Sequence, residues 1–422
     1  MNKTILLSAI LLLIFCQITF GQTDKAKKID DFIKPFVDSN QFGGVVLASE
    51  NGKIIYEKAF GLANADFKIP NQLNTRIGIA SITKPMTVVI LINLVQSGKI
   101  SMSDKLSKYI PDFPSGDKIT IEMLARHRSG IKHRVMPSEM ESVAYTSAEF
   151  VEKVKQSTLA FEPGTQSLYS SGGFAVLARC LEIASGKNYA QLLQEFVFKP
   201  AGMTDSVDFE GDAVIERRAQ DYYYSPEGLV NVPLKNYSFL VGAGSVYSTA
   251  KDVYRFAETL LDGKYGEGPK MSFLRDNIIS ASGSTNGHRS YFEIEKNKKY
   301  GYVVLSNLGG TFDMVSQGVK EILENKEVTI KNFSIPKIVP NPNKDLNEFA
   351  GRYVRQGASG EVTVFTKGEF LQSGDIKLYP IKPDCFFEFR FYGEVCFNRN
   401  EAGAIKDIKW ASPGVESIWV KQ

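Results

Sequence analysis

The chain has 422 residues, with 50 lysines and arginines against 47 aspartates and glutamates, four cysteines and three histidines, for a formal charge of +3. So even a balance gives no reason to expect nucleic acid or an anionic membrane as a partner, and the length suits two domains, or one large domain with an appendage. The three histidines, His127, His133 and His288, lack zinc-hydrolase spacing, and no phosphate-binding glycine loop or Gly-x-Ser-x-Gly elbow is present, so no metal or other cofactor is expected.

Met1-Asn2-Lys3-Thr4 is a basic start, Ile5 to Phe15 is apolar but too short to span a membrane, and Gly21 offers a small residue for cleavage. Residues 1–21 therefore read as a secretory signal, placing the mature chain in the periplasm or outside the cell. Leu13-Ile14-Phe15 lacks the small residues that precede a lipidated cysteine, which argues against Cys16 as a lipid anchor. Cleavage removes one lysine and one cysteine, leaving +2 and three cysteines. No later segment approaches the roughly 18 apolar residues of a membrane span.

Lys25 to Asn40 has the pattern of an amphipathic helix. Gly43 to Ala48 and Lys53 to Tyr56 flank Asn51-Gly52, whose tolerance of positive φ predicts a two-strand hairpin. Ser81-Ile82-Thr83-Lys84 then opens an apolar run to Val95, read as a buried helix. Residues 100–265 are mostly helical patterns divided by Pro/Gly turns. Strand character returns from Ala281 to Asn307, and Met314 to Asn325 predicts a closing helix. Strands at both ends with helices between them predict an α+β fold: an antiparallel sheet built from both termini, with a helical insert.

Ile335 to Pro342, with three prolines, reads as an extended linker within 333–345. It divides a larger domain, 22–332, from an all-β domain, 346–422. The latter shows short strands at 351–354, 361–365, 377–381, 386–390, 395–397 and 405–410, suggesting a small barrel or sandwich. This tail carries no catalytic constellation and is expected to serve structure or substrate gating. Cys385 and Cys396 would form a disulfide if their strands pair in the right register; Cys180, in an apolar helix pattern, is expected to be a core residue.

The chemistry starts at Ser81. A serine hydroxyl is a poor nucleophile without a base to take its proton. A lysine three residues on lies on the same helical face, and burial disfavours its charged form, so Lys84 qualifies as that base. Alone, the tetrad is also what an N-capping serine followed by a surface lysine would give. A second signal is Phe161-Glu162-Pro163-Gly164 leading to Tyr169-Ser170-Ser171-Gly172-Gly173. A loop there holds Tyr169 and Ser171 two residues apart. A phenol beside a lysine cation would have its deprotonated form favoured and would shuttle the proton from Ser81 to a leaving group.

Ser81-Ile82-Thr83-Lys84, Tyr169-Ser170-Ser171 and the order of sheet, helices and sheet resemble the serine β-lactamase and penicillin-binding-protein superfamily, in its class C-like branch. Leu124 to Ile131, around His127, and Gly242 to Asp252 resemble two further stretches of that branch. The resemblance spans roughly 28–330, and the tail more loosely resembles a lipocalin-like β domain. It implies an acyl-enzyme hydrolase in which Ser81 attacks, Lys84 and Tyr169 manage the proton, and Ser171 orients Lys84 or the leaving group. Gly283-Ser284 falls at the glycine-rich end of a sheet strand, so the backbone N–H groups of Ser81 and Ser284 would hold the oxyanion. Relatives carry a lysine or histidine where this chain has Ala281. Only His288 or Arg289, turned into the cleft, would replace that cation.

The expected function is thus a secreted serine hydrolase acting on a small-molecule or peptide ester or amide: an esterase, a D-Ala-type peptidase or a β-lactamase-like enzyme, with the first two favoured by the missing base. The alternative is a penicillin-binding or sensor protein that keeps the fold without turnover. The oligomeric state is not legible.

Overall fold

The computed structural model describes residues 24–422 except 267, 269–272, 276, 298, 329–335, 344, 358–359, 375 and 413–414. The signal-peptide reading of residues 1–21 lies outside the described residues.

Helix α1, Asp24–Asp38, buries Ala26, Ile29, Phe32, Ile33 and Phe36, spaced three and four apart as an amphipathic helix requires. Strands β1, Gly44–Glu50, and β2, Lys53–Phe60, are joined through Asn51 (φ 51°) and Gly52 (φ 71°), the two left-handed residues of a primed hairpin turn. The C-terminal part of the larger domain supplies β3, Leu274–Arg275, β4, Ile278–Ser284, β5, Arg289–Glu295, and β6, Tyr300–Ser306. All six form one antiparallel sheet in the order β3-β4-β5-β6-β1-β2, and β1 meets β6 from Gly44 opposite Ser306 to Glu50 opposite Tyr300.

Both faces of this sheet are covered, and the side-chain period of two sorts them. Val46, Ala48, Tyr302 and Val304 pack under α1 and the closing helix. Val45, Leu47, Val303 and Leu305 pack into the larger helical core. The principal helices are α2, Thr83–Gln96, α3, Ser147–Lys155, α4, Ser171–Ser185, α5, Ala250–Leu261, and the closing α6, Phe312–Leu323. Nine residues of α2, from Thr83 to Leu94, are buried, including three successive first-turn residues. Pro85 breaks nothing, because first-turn N–H groups have no intrahelical partner.

The helical insert contains more strand than the sequence suggests. Val207–Asp208, Val246–Ser248 and Ile77–Gly78 form a three-stranded sheet, and Tyr222–Ser225 pairs with Gly228–Asn231. Segments of two to four residues are too short to show an alternating pattern.

The tail is a closed barrel of eight antiparallel strands. Two of them, Phe370–Ser373 and Val415–Lys421, were not among the six expected. The first is only four residues long, and the second has no buried residue to mark an inner face. The interior is filled by Phe349, Tyr353, Leu378, Phe386, Val395 and Phe397. Cys385 and Cys396 are register partners on adjacent strands and are disulfide-bonded, whereas Cys180 is free and buried in α4. Closing an 11-residue separation restricts the unfolded chain by about 2–3 kcal/mol. Cys385→Ser/Cys396→Ser should therefore lower the barrel's thermal midpoint by several degrees in calorimetry; an unchanged midpoint would refute a stabilising role for the bond.

Before the barrel, residues 336–343 form no regular element, but the Val339 N–H donates to the Pro380 carbonyl at 3.0 Å. Among the described residues no helix is long and apolar enough to cross a membrane.

Candidate active site

Ser81 sits in a 3-10 turn, Ala80–Ile82, that runs directly into α2. Ala80 has φ +47°, a left-handed conformation that costs an alanine energy and that the surrounding packing must impose. The result brings Ser81 and Lys84 within one hydrogen bond: Nζ lies 3.2 Å from Ser81 Oγ. Nζ also donates to Ser171 Oγ at 3.2 Å and to the Ala243 carbonyl at 2.8 Å. A carbonyl only accepts, so one N–H is committed to Ala243. A neutral lysine then has one N–H for Ser171 and its lone pair for the Ser81 hydroxyl proton. Lys84 is 5% exposed, and burial lowers its pKa to about 7.

Tyr169 donates its hydroxyl hydrogen to Ser81 Oγ at 2.7 Å, and its ring lies 4.8 Å from Lys84 Nζ. The sequence-based expectation of a favoured phenolate is overturned. Although Tyr169 is 45% exposed, desolvation raises its pKa, outweighing the hydrogen bond to Ser81 that lowers it. Near neutrality Lys84 is itself about half uncharged and supplies little stabilisation. Tyr169 is accordingly a hydrogen-bond donor.

Two loops hold this tyrosine in place. The Leu168 N–H donates to the His127 carbonyl at 2.9 Å, the Ser170 N–H to His127 Nδ1 at 3.1 Å, and the Ser171 N–H to His133 Nδ1 at 3.3 Å. The two imidazoles lie 4.7 and 5.4 Å from the Tyr169 ring. Both accept through Nδ1, which requires the neutral ring. Desolvation favours that form, lowering His127 to about 4 and moving the more exposed His133 in the same direction. His127 thus acts as a hydrogen-bonding loop residue. Ser170 caps α4, accepting from the Gly173 N–H at 2.8 Å, which sets Ser171 at the helix start facing Lys84.

Gly283 closes the other side. A Cβ on it would lie 2.2 Å from the Ile79 carbonyl oxygen, 2.5 Å from Ser290 Oγ and 2.9 Å from the Ser81 nitrogen. Only glycine lets β4 approach the Ser81 backbone so closely. The next residue, Ser284, lines a cavity of about 100 Å³ together with Ser81, Ser171 and Asn286.

Neither candidate for the missing cation provides it. His288 is buried, faces Asp221 at 3.8 Å and packs edge-on to Tyr247, and burial lowers its pKa. Arg289 Nη2 is 2.8 Å from both carboxylate oxygens of Asp313. The cations that line the cavity are two that sequence reading missed, Arg134 and Lys235. Lys235 pairs with buried Glu141, leaving exposed Arg134 as the guanidinium at the rim. Arg134 is adjacent to His133, but no motif distinguishes it from a surface arginine.

The fold and this arrangement define a β-lactamase-like hydrolase. Residues 29–312 match the Beta-lactamase family model, and the chain belongs to that family. It is similar to the D-alanyl-D-alanine-carboxypeptidase/endopeptidase AmpH of Escherichia coli (strain K12), 28% identical over 297 residues, 63% of this chain and 71% of AmpH. It is also similar to the teichoic acid D-alanine hydrolase of Staphylococcus aureus (strain MRSA252), 27% identical over 229 residues, 54% of this chain and 56% of that one. The chain thus spans only about half the length of some curated relatives. The crystal structure of SurE shares the fold over 94% of this chain and 99% of its own, barrel included, with a TM-score of 0.62 at 17% identity. The protein is a serine hydrolase of the β-lactamase-related class.

Proposed function

We propose that the protein is an exported acyl-transfer hydrolase in which Ser81 carries the acyl group of an ester or amide. The observation that supports this most is the position of Ser81 Oγ, 3.2 Å from a buried lysine with a pKa near 7 and 2.7 Å from a protonated tyrosine. Ser81 Oγ attacks the carbonyl while its proton passes to neutral Lys84. The oxyanion is held by the N–H groups of Ser81 and Ser284. As the tetrahedral intermediate collapses, Tyr169 gives its proton to the leaving group and recovers one from Lys84. Water then attacks the acyl-serine, Lys84 takes its proton, and return of that proton to Ser81 Oγ releases the carboxylic product. Ser171 holds Lys84 in line throughout.

With Ala281 where relatives carry a base and His288 turned away, that strand offers no cation to a substrate carboxylate, so esters are favoured over β-lactams and over peptides ending in a free D-alanine carboxylate. Export rests on the sequence of residues 1–21, and a leader of that kind would be absent from the mature N-terminus.

Because Lys84 must be neutral to accept a proton, kcat/KM for a chromogenic short-chain ester should rise about tenfold per pH unit below 7 and level off above it. A flat profile from pH 5 to 9 would exclude Lys84 as the base. Stable labelling by penicillin with no turnover of any ester would favour the sensor reading.

A further inference from the structure

One turn of the barrel reaches the residue that follows the oxyanion strand. Residues 389–392, between barrel strands Cys385–Glu388 and Gly393–Arg399, are folded by buried Glu388, whose Oε2 accepts the N–H groups of Arg390 at 2.9 Å and Phe391 at 3.0 Å. Phe389 packs on Tyr224 at 5.4 Å, and the Arg390 guanidinium lies 5.2 Å over the Tyr223 ring. From this seat Arg390 Nη2 donates to Asn286 Oδ1 at 2.8 Å. Asn286 is 8% exposed and lies two residues beyond Ser284, in the turn between β4 and β5. It also lines the cavity that contains Ser81.

Arginine has donors and no acceptor, so the bond fixes which way the carboxamide points. Oδ1 is committed to the barrel, and the Nδ2–H₂ group is what Asn286 has to offer a substrate. The turn it belongs to is otherwise closed by the Thr285 N–H donating to the His288 carbonyl at 2.9 Å, and by the packing of Gly287 against Asp221 and Tyr222.

We propose that the barrel is a working part of the site: Arg390 is a positioning residue that orients Asn286 as a donor to a carbonyl or other acceptor oxygen of the bound acyl group. The selected substrate class is therefore acyl groups with an acceptor oxygen near the scissile carbonyl, as in an N-acylated or peptidyl amino acid, rather than simple alkanoyl esters. This rests on the serine-hydrolase reading above. Loss of all turnover in the unaltered protein would count against that reading, whereas losses confined to the variants below bear on Arg390 and Asn286.

The test compares an N-acetyl-D-alanyl ester with a butyryl ester of the same leaving group. Arg390→Ala and Asn286→Ala should each lower kcat/KM for the N-acylated ester about tenfold, mostly through KM, and leave the butyryl ester within about twofold. The double variant should lose no more than either single one. Guanidinium ion at millimolar concentration should restore part of the Arg390→Ala loss and none of the Asn286→Ala loss. Asn286→Asp keeps the bridge to Arg390 but removes the N–H donors, so it should match Asn286→Ala in activity with an undiminished thermal midpoint. That variant decides the matter if Arg390→Ala does not fold. Equal losses on both esters, additive losses, or full activity of Asn286→Asp would overturn the proposal.

Discussion

Ser81→Ala and Lys84→Ala should each lower kcat for a good ester substrate by about 10⁴-fold or more, and the double variant should be no worse than the more damaged single one. The reason is geometric. Nucleophile and base share one hydrogen bond of 3.2 Å, and neither acts without the other. Lys84→Arg should not rescue activity, although it keeps the positive charge. A guanidinium stays protonated at any ordinary pH and has no lone pair to accept the serine proton. Rescue by arginine would show that the charge of Lys84, and not its basicity, is what matters. Losses should appear with folding intact, as judged by circular dichroism. Lys84 is held by Ser171 and Ala243, and among the described residues no carboxylate pairs with it, so its removal strands no buried opposite charge.

Gly283→Ala is expected to lower kcat by about 10²–10³, the cost of losing one oxyanion donor. The added Cβ would meet two backbone atoms, the Ile79 oxygen at 2.2 Å and the Ser81 nitrogen at 2.9 Å. Backbone cannot turn aside as a side chain does, so β4 must retreat from Ser81, and Ser284 moves with it. Ser290 Oγ, which donates to the Ile79 carbonyl at 2.7 Å, would be displaced as well. The loss should fall on kcat more than on KM, because the oxyanion exists only past the ground state. An alanine variant with normal kcat would mean that the oxyanion is held elsewhere.

Much of this site was legible because its chemistry is local in sequence. Ser81 and Lys84 occupy one turn, Tyr169 to Ser171 occupy one loop end, and Gly283-Ser284 marks a strand that must pass close to backbone. The hairpin at Asn51-Gly52 and the sheet built from both ends were legible for the same reason: turn chemistry and alternation act over a few residues. What could not be read depends on three-dimensional surroundings. The Tyr169 pKa is governed by desolvation, which one chain of letters does not contain. His288 looked available for the cleft until its packing against Tyr247 and Asp221 placed it in the core. Arg390 and Asn286 are 104 residues apart and belong to no motif, so only the docking of the barrel joins them. The strand Val415–Lys421 closes the barrel without a buried residue, leaving no periodic signal to find.

The most direct test is trapping of the acyl-enzyme. The protein is mixed with a slowly released acylating ester, quenched in acid, and examined by intact mass and peptide mapping. One acyl group should appear per chain, on the peptide containing Ser81, and should be absent from Ser81→Ala. An adduct on any other residue, or ester turnover that persists in Ser81→Ala, would contradict the assignment of Ser81 as the nucleophile.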